Sequence, residues 1–373
     1  MNPKRKRLFG SFTRKSLWYI NLVLAVFLLL AYMAVHVSPE AFWPLAFFGL
    51  AFPYILFINV AFVILWLVRK RWYFLISLAV VVVGWGNIAH FIQIPLGEKK
   101  KNLPDEPTFS LMTYNVRMFD FYRWSKEKGL ANKMLDFFYE EQPDILCLQE
   151  FYIPKDDAEI SLDFIKNSLS WMKYQHIDYI NNFMGGNYGV ATFSKFPIIR
   201  KGSQTFENSV NRVIFTDVVT GNDTIRIFNN HLQSYRLANN NFKFLNNIKL
   251  EYTDDQLREA KDLSKKLRNA FIARSKQVDK VSEMIKSSPY KVLVCGDFND
   301  TPVSYTYKQM RGNLKDSFVT SGKGVSNTFL GRTPRFRIDY IFYSPELVSS
   351  NYTRHNVKYS DHYPVSVMIH LDN

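Results

Sequence analysis

The chain has 373 residues and a mass of 43.8 kDa, which is enough for a short domain followed by a full one. Its two cysteines, Cys147 and Cys295, do not stand in a CxxC-type spacing, which excludes a disulfide-stapled scaffold and a cysteine-based zinc motif. The formal net charge is +14. Residues 1–100 contain 11 basic and 2 acidic residues, whereas residues 101–373 contain 36 and 31. Most of the positive excess belongs to the N-terminal part, so overall basicity is weak support for nucleic acid binding.

An apolar run at residues 17–37 predicts a first membrane helix. Its 21 residues include no Asp, Glu, Lys or Arg. At about 1.5 Å per residue, a helix of this length crosses a hydrocarbon core of about 30 Å. The basic start MNPKRKR would also suit a signal peptide. The run is longer than the apolar part of a usual signal peptide, however, and no A-x-A-like cleavage site follows it.

Two more apolar runs, at residues 41–68 and 72–94, predict a second and a third membrane helix. The second run contains two prolines, which membrane helices tolerate where neighbouring helices satisfy the freed backbone groups. The third run contains Asn87 and His90, so a re-entrant segment or one lying on the membrane surface is the alternative for it. The sequence thus predicts an N-terminal membrane region over residues 1–96, with about three transmembrane helices.

Basic residues before the first helix and at 69–71 predict the orientation of this region. Short basic segments stay on the cytoplasmic side, so three crossings leave the rest of the chain outside the cytoplasm. The string GEKKK at 97–101 argues mildly for the opposite orientation. We expect an integral protein of the cytoplasmic membrane with an extracytoplasmic C-terminal domain. Its predicted partner is the lipid bilayer, and no protein partner is predicted.

The composition changes after the membrane region. Residues 97–107 contain Pro104 and Pro107 and predict an extended linker, and residues 108–373 predict a globular domain of about 265 residues. Strand-like and helix-like patterns are intermixed in that domain, which places it in the α/β class. Strands are expected at or near 109–116, 145–148, 175, 190, 213, 225, 292, 338 and 365, and helices at 133–139, 162–169 and 254–285.

Six short strings in this domain each end an apolar strand with a carboxylate, an amide or an imidazole. They are TYNVR (113–117), DILCLQE (144–150), NNHLQS (229–234), VLVCGDFND (292–300), RIDYIFYS (337–344) and SDHYPV (360–365). A rigid sheet places such groups precisely, which is why functional side chains collect at strand ends. Taken singly, each string is better explained by a turn former or a helix cap than by a functional site.

Taken together, in this order and spacing, the strings resemble the endonuclease/exonuclease/phosphatase superfamily of metal-dependent phosphoesterases. That superfamily includes pancreatic-type deoxyribonucleases, abasic-site endonucleases, inositol-polyphosphate 5-phosphatases and sphingomyelinases. The resemblance covers residues 108–371, and GDFND followed by RIDYIF and SDHYPV is its most specific part. It implies a four-layered α/β sandwich of two packed mixed β-sheets flanked by helices, here preceded by the transmembrane helical region, with the active site at one end of the sheets.

Hydrolysis of a phosphoester requires neutralised phosphoryl oxygens, an oriented water and help for the leaving oxygen. Carboxylate and amide oxygens suit Mg²⁺ or Mn²⁺, and the sequence has no Cys/His cluster that would favour zinc. Glu150 is the leading predicted metal ligand. The resemblance implies that Asn115 completes the metal side and that Asp361 holds the same or a second metal. One metal or two stays open.

The other candidate groups handle protons and water. Asp297 and Asn299, two apart in a segment expected to be extended, point the same way, so the carboxylate accepts a proton from water while the amide orients the water or the phosphate. The family assignment is the same. His362 donates to a phosphoryl oxygen or transfers a proton, and Asp339 resembles the carboxylate that orients this imidazole and raises its pKa. Asp361 and His362 are neighbours on a strand and should face opposite ways.

His231 and Arg117 are expected to contact the substrate. A His at the place of His231 occurs in deoxyribonuclease-like, 5-phosphatase-like and sphingomyelinase-like members and is replaced in abasic-site endonucleases, so it argues against base-excision repair. Its predicted role is phosphate contact or leaving-group protonation. Arg117 is a candidate for substrate binding through the phosphate, with a solvated arginine as the alternative. The long polar stretch 234–269 is a candidate for substrate choice, or else a lead-in to a surface helix.

The sequence therefore predicts a membrane-anchored, Mg²⁺- or Mn²⁺-dependent phosphoesterase, nuclease-like or phosphodiesterase-like. The phosphate ester is nucleic acid or, as the alternative, a phospholipid or inositol-phosphate headgroup. A non-catalytic membrane scaffold is a remote alternative, because it predicts erosion of the site residues and none is eroded. A third hypothesis, prompted by Asn87 and His90, is that the helices themselves transport or sense something, although three helices are few for a transporter.

Overall fold

The computed structural model describes residues 3–93, 108–125, 127–155, 160–235, 254–331 and 335–371, with side chains from residue 13 onward. The predicted linker 97–107 and residues 236–253 of the candidate specificity stretch lie outside the described residues.

The N-terminal helical region (residues 3–93) begins with one long helix and continues with shorter ones. The helices are α1 (Pro3–Met33), α2 (Pro39–Phe42), α3 (Pro44–Leu50), α4 (Phe52–Val68), α5 (Phe74–Val83) and α6 (Trp85–Ile88). Prolines stand in the first turns of α2, α3 and α4. A proline fits there because its missing N–H would have no intrahelical partner, and it prevents the preceding turn from continuing.

The lengths of these helices differ from the sequence-based expectation. Among the described residues, one helix segment, Thr13–Met33, is long and apolar enough to cross a membrane. Helices α3 and α4 pass the same test only as a pair, and they are bent by 64° at the break between them. Helix α5 has ten residues, which span about 15 Å. The described helices thus offer one full span, or two if the bent pair forms one, where the apolar runs predict three.

Helices α1, α4 and α5 are joined by a buried polar cluster of Asn21, Asn59 and Ser77. The Ser77 hydroxyl lies 2.6 Å from Asn21 Oδ1 and 3.0 Å from Asn59 Oδ1. All three side chains are fully buried. The outward side chains are instead apolar, for example Phe57 and Val83, which are more than 70% exposed (73% and 74%). Polar groups inside and apolar groups outside are the arrangement expected of helices that pack in lipid.

The C-terminal domain (residues 108–371) contains two six-stranded sheets. Its strands are β2 (Thr108–Asn115), β3 (Ile145–Pro154), β4 (Tyr174–Phe183), β5 (Gly186–Ser194), β6 (Ile198–Thr205), β7 (Arg212–Thr220), β8 (Asp223–His231), β9 (Lys291–Asp297), β10 (Lys315–Asp316), β12 (Asp339–Tyr343), β13 (Leu347–Arg354) and β14 (Val365–Leu371), with β11 (Gly324–Val325) paired outside them to β1 (Ile92–Gln93). The helices are α7 (Leu130–Glu141), α8 (Leu162–Ser168), α9 (Asp254–Lys286), α10 (Tyr305–Arg311) and α11 (Ser317–Ser321).

Each sheet is mixed and contains one parallel pair at its centre. The strand orders are β13-β14-β2-β3-β5-β4 and β10-β12-β9-β8-β7-β6. Strands β2 and β3 are parallel, as are β8 and β9, and the other pairs within the two sheets are antiparallel. Because the strands of each pair are parallel, Asn115 at the carboxyl end of β2 lies beside Gln149, the residue before Glu150, and His231 and Asp297 meet at the carboxyl ends of β8 and β9.

The sheets pack face to face and are covered by helices on their outer sides. The layer between them includes Phe109, Leu111, Ile145 and Cys147 from the first sheet and Ile227, Leu293, Cys295 and Ile341 from the second. Helices α7 and α8 pack on the outer face of the first sheet, and α9 and α10 on that of the second. This is the four-layered α/β sandwich that the resemblance implies, and the prediction of fold class is confirmed. Both cysteines are buried and free.

The N-terminal helical region contacts the C-terminal domain at one end. The rings of Phe47 and Phe271 lie 5.3 Å apart, and Lys276 Nζ lies 3.0 Å from a carboxylate oxygen of Glu40. The His90 ring stands 5.0 Å from the ring of Tyr307. His90, one of the two residues behind the transport hypothesis, therefore faces the C-terminal domain.

Candidate active site

Asn115 lies at the centre of a cluster that brings the sequence-predicted residues together. It ends β2, and its Nδ2 donates to Glu150 Oε1 at 3.3 Å and to Asp297 Oδ2 at 3.0 Å. Its Oδ1 accepts from the backbone N–H of Arg117 at 3.0 Å. Asn115 thus connects one sheet to the other, and Glu150 and Asp297 lie on either side of one amide.

Glu150 reaches the site through a bulge in β3. The pairing of β3 with β5 shifts register between Leu148 and Phe151, and Glu150 has a φ of 51°. Such a bulge re-aims a side chain that regular alternation would direct elsewhere. Desolvation of a carboxylate that is about three-quarters buried, with the negative charge of Asp361 in addition, raises the pKa of Glu150 to about 7. The folded chain alone therefore does not balance the charge of this carboxylate.

Asp297 is held by the turn that follows β9. The N–H of Asn299 donates to Asp297 Oδ1 at 2.8 Å, and Asn299 Nδ2 donates to Asp297 Oδ2 and to the carbonyl of Leu232, at 3.0 and 2.9 Å. The expected extended segment is wrong here, because the strand ends at Asp297 and Asn299 has a φ of 54°. The two side chains meet through a turn rather than through strand alternation. Burial raises the pKa of Asp297 to about 7.

The residue before Asp297 has to be a glycine. Gly296 has a φ of 120°, and a Cβ there would lie 2.2 Å from the carbonyl oxygen of Asn230 on β8. Only glycine allows this backbone conformation together with such a close approach. The close approach brings the ends of β8 and β9 together, and His231 pairs in register with Asp297.

His362 and Asp339 form the expected pair. His362 Nδ1 lies 2.9 and 3.1 Å from the two carboxylate oxygens of Asp339, and its Nε2 lies 3.8 Å from Asp297 Oδ2. Burial disfavours a charge on this imidazole, but the carboxylates of Asp339 and Asp297 outweigh it and raise the pKa of His362 to about 10. The Thr328 hydroxyl accepts the N–H of Asp339 at 3.0 Å. The imidazolium is thus fixed between two carboxylates.

His231 faces Glu150 without a hydrogen bond. Its Nε2 lies 3.6 Å from Glu150 Oε1 and is one of the buried polar atoms without a partner among the described residues. Burial, together with the positive charge of His362, lowers the pKa of His231 to about 3. This imidazole is therefore neutral, and its unused nitrogen marks a place where a ligand is expected.

Asp361 and Arg117 lie on the open side of the site. Arg117 Nε is 3.3 Å from Asp361 Oδ2, and the guanidinium stands 4.8 Å from the centre of the Trp124 ring. Ser360 donates to the carbonyl of Asn115 at 2.8 Å and lies 3.3 Å from Asp361 Oδ1. Asp361 and its neighbour His362 have different partners, although they lie in a bend and an isolated bridge before β14 and not on a strand as predicted.

The segment after Asn115 has an uncommon backbone. The four residues Arg117–Asp120 all have positive φ, between 46° and 55°. Each such non-glycine residue costs about 1–2 kcal/mol, so the surrounding structure must impose the conformation. Met118 and Phe119 are buried, and the Asp120 carboxylate accepts from Ser125. Strain of this kind concentrates at functional sites, and the letters RMFD give no sign of it.

The sequence analysis also missed buried residues that lie next to the site residues and hold them in place. The side chain of Gln149 donates to Asn229 Oδ1 at 2.7 Å, and Asn229 donates to the carbonyl of Ala191 at 2.9 Å, so two buried amides join the sheets. Fully buried Arg274 donates through Nε to Asp300 Oδ2 at 3.0 Å. A signal was present for each, since both amides stand inside the quoted strings and Arg274 falls on the apolar face of the helical pattern.

The donor set fits a hard divalent cation. Glu150 and Asp361 offer two carboxylates, the ligand type that Mg²⁺ and Mn²⁺ prefer, whereas Asn115 presents Nδ2 to Glu150 and its Oδ1 accepts from the Arg117 N–H. Burial and the charge of Asp361 raise the pKa of Glu150, and a cation between these two carboxylates would favour their ionised forms. Ligand atoms of Asp297, Asp339 and His362 also lie within 4.8 Å of one another. That group is less suitable, because His362 already binds Asp339 through Nδ1 and carries a proton there.

Comparison with known families shows which family the chain belongs to. The model of the Endonuclease/Exonuclease/phosphatase family matches residues 112–362. The chain belongs to this family. Residues 14–91 match a second model, described as "Domain of unknown function (DUF8431)". No curated protein matches the chain.

Solved structures of the family share the fold. An endonuclease/exonuclease/phosphatase from Beutenbergia cavernae DSM 12333 is 15% identical and aligns over 71% of this chain and 72% of its own, with a TM-score of 0.52. A family protein from Leptotrichia buccalis C-1013-b is 17% identical and aligns over 70% of this chain and 100% of its own, with a TM-score of 0.50. The family generally hydrolyses phosphoester bonds and typically requires a divalent metal. Identities this low show the fold alone.

Proposed function

We propose that the protein is a membrane-anchored phosphoesterase that depends on a divalent metal and whose C-terminal domain lies outside the cytoplasm. The observation that carries the proposal is the position of Asn115, which binds Glu150 on one side and Asp297 on the other. A cation held near Glu150 and a base at Asp297 would then stand on either side of one phosphoryl group. Metal-assisted hydrolysis needs this juxtaposition.

Glu150 and Asp361 would hold Mg²⁺ or Mn²⁺, and Asn115 would orient Glu150 through its amide group. The ion supplies neutralisation of the charge on the phosphoryl oxygens when it is bound. Arg117 lies beside Asp361 and would extend this positive side toward the phosphate. The strained turn that begins at Arg117 fixes where that guanidinium stands.

The buried half of the site would handle the water and its proton. Asp297, with a pKa of about 7, accepts a proton from the attacking water near neutral pH. Asn299 keeps the carboxylate oriented through two hydrogen bonds. His362, charged by Asp339, donates a hydrogen bond to a phosphoryl oxygen. His231 has a pKa of about 3, and this favours phosphate contact over protonation of the leaving group.

Three observations support the membrane anchor and its orientation. The outside of α1, α4 and α5 is apolar. Trp18, in the first half of α1, packs near Tyr73, which closely follows the basic residues 69–71. Tyr32, at the end of α1, packs near Phe52, at the start of α4. Helices α1 and α4 therefore run antiparallel, and residues 69–71 share one end of the bundle with the start of α1. The C-terminal domain contacts the other end. Basic segments favour the cytoplasmic side, which leaves this domain outside.

The substrate we favour is a phosphoester at the bilayer surface, such as a phospholipid headgroup. Val303 packs among the ends of α1 and α4, beside Tyr32 and Phe52. It follows Asn299 by four residues, and a chain spans at most about 3.5 Å per residue. The site is thus within about 14 Å of the outer end of the helical bundle, whereas residues 101–373 have too small a positive excess to favour nucleic acid.

The test uses the full chain in detergent and in lipid vesicles, with phospholipids, inositol phosphates, DNA and RNA as substrates and Mg²⁺ present. Asp297→Asn and His362→Ala should each lower the rate at least ~10²-fold. Asp223→Asn and His355→Ala are the matched controls, because both residues lie outside the site and both should retain the wild-type rate. Hydrolysis confined to nucleic acid would overturn the substrate class, and full activity in both site variants would overturn the catalytic assignment.

A further inference from the structure

The loop that follows Asp297 reaches into the N-terminal helical region. Val303 is completely buried in a cluster whose other buried members all come from that region. Helix α3 approaches the same loop so closely that a Cβ on Gly49 would lie 2.4 Å from the carbonyl oxygen of Val303. The contact between the two parts of the chain is therefore tightly packed at the loop itself.

The part of this loop nearest the site is held from within the C-terminal domain. The Asp300 carboxylate accepts from Arg274 Nε at 3.0 Å and from the Thr306 hydroxyl at 2.7 Å. Its carbonyl accepts from the Tyr340 hydroxyl at 2.8 Å. Asp300 directly follows Asn299, which holds the Asp297 carboxylate. One short loop, held by hydrogen bonds at Asp300, thus connects the proposed catalytic base to Val303.

Two other segments that lead to site residues also contact the N-terminal helical region. Arg337, two residues before Asp339, donates through Nη2 to the carbonyl of His90 at 2.9 Å. Strand β11 pairs with β1, and β11 is followed after three residues by Phe329, whose ring stands 5.2 Å from the ring of His362. The helices thus reach Asp297, Asp339 and His362 through three different stretches of chain.

We infer that the N-terminal helical region is a positioning part of the catalytic unit and not only an anchor. Gly49 of this region and Val303 of the C-terminal domain are the positioning residues, because their contact gives the loop that carries Asn299 a second support in addition to the one at Asp300. The inference rests on the proposed function of the site, since it states what keeps that site in its active geometry. A purely anchoring region would instead tolerate a loosened contact without any change in turnover.

Two glycines of the helices give a matched pair of variants. In Gly49→Ala the new methyl would meet the Val303 carbonyl at 2.4 Å and Ala34 Cβ at 3.0 Å, whereas at Gly86 a new Cβ would meet nothing within 4 Å. We expect Gly49→Ala to lower kcat about tenfold in the full chain while KM stays within about twofold, because misplacement of catalytic groups acts on the chemical step. Gly86→Ala should leave both constants unchanged.

Val303→Ala tests the same contact without adding bulk. It removes two methyl groups from the buried cluster and should lower kcat in the same direction, with KM again preserved. If Gly49→Ala fails to fold, Val303→Ala decides. Wild-type kcat in a well-folded Val303→Ala protein, or an equal fall in kcat for Gly49→Ala and Gly86→Ala, would overturn the inference.

Amide hydrogen exchange separates this inference from the proposed function. Exchange over residues 298–304 should be faster in Gly49→Ala and Val303→Ala than in the wild type and in Gly86→Ala, whatever substrate is cleaved. If the wild type hydrolyses no phosphoester, the proposed function fails, and the exchange data still report whether the helices hold the loop. Unchanged exchange in both contact variants would contradict the positioning role directly.

Discussion

The two halves of the candidate active site, the proposed metal side and the proposed proton side, differ in how firmly the folded chain holds them. On the metal side, the carboxylates of Glu150 and Asp361 are about a quarter exposed, at 26% and 28%. The hydrogen bond from Asn115 to Glu150 is long, at 3.3 Å. The metal side thus brings two carboxylates together and holds them with few, long hydrogen bonds.

On the proton side, Asp297, Asp339 and His362 are nearly inaccessible. Their hydrogen bonds with one another and with Asn299 measure between 2.8 and 3.1 Å. The fold alone therefore prepares the groups that move protons, because buried charges require partners at every atom. On the proposed function a bound cation would complete the metal side, so the two halves should respond differently to the same kind of perturbation.

Removal of the metal should have the largest effect. Chelation with EDTA is expected to lower the rate of the full chain at least ~10³-fold, because the charge on the phosphoryl oxygens is then balanced by Arg117 alone on that side. Initial rates against added Mg²⁺ or Mn²⁺ measure the recovery. Glu150→Gln should need more metal than the wild type, and Asp223→Asn should not. A chelated protein that keeps its full rate would contradict the assignment.

Asp339→Asn should be the most damaging change that leaves the metal side intact. The amide keeps the shape but cannot hold an imidazolium at His362, so we expect kcat to fall ~10²-fold. Metal dependence should stay at its wild-type value. A variant whose metal requirement rose as well would show that the two halves are not separable in this way.

The pH dependence of activity tests the protonation states proposed for the proton side. Asp297 must lose its proton and His362 must keep its own, and their pKa values are about 7 and about 10. Activity should therefore rise with pH through about 7 and fall through about 10, and a bound cation moves the acidic limb downward because it favours the ionised carboxylate. In Asp339→Asn the alkaline limb should move to lower pH, because the carboxylate that raises the His362 pKa is gone. If the alkaline limb does not move in Asp339→Asn, the fall in activity at high pH is not caused by deprotonation of His362.

His231→Gln should have a smaller effect. The imidazole is neutral and its Nε2 lacks a hydrogen bond among the described residues, so the change would remove the proposed phosphate contact but no charge. We expect about a tenfold loss, mainly in KM. His176→Gln is the matched control, because His176 is also buried but binds the Thr216 hydroxyl away from the site. A loss confined to kcat would instead support leaving-group protonation.

The sequence predicted best what depends on residue identity at strand ends. His231 and Asp297 each close an apolar strand and meet because parallel neighbours end at one edge, whereas Glu150 lies at a bulge inside β3 and His362 in a bridge just before β14. The family resemblance supplied the order of the strands, which periodicity alone does not contain.

The sequence predicted less where backbone conformation or a distant contact decides the outcome. The left-handed turn at Arg117–Asp120 is imposed by buried neighbours and leaves no mark on residue type. The segment at Asn299 was predicted to be extended, because residue type does not show that the strand ends at Asp297 and that Asn299 has a positive φ. Hydropathy found three apolar runs, but it does not report where a proline or Gly84 divides them into helices. Residues 97–107 stay a predicted linker.

The smallest effect we expect is that of Ser360→Ala, and it tests how loosely the metal side is held. Ser360 donates to the Asn115 carbonyl and lies close to the Asp361 carboxylate, and loss of one such bond costs about 1 kcal/mol. We expect the metal concentration for half-maximal rate to rise about fivefold, while kcat at saturating metal stays unchanged because the proton side is untouched. Ser321→Ala removes a comparable hydroxyl far from the site and should change neither quantity. A fall in kcat at saturating metal would mean that Ser360 also supports the buried half through Asn115, and that the two halves share more of their support than their burial indicates.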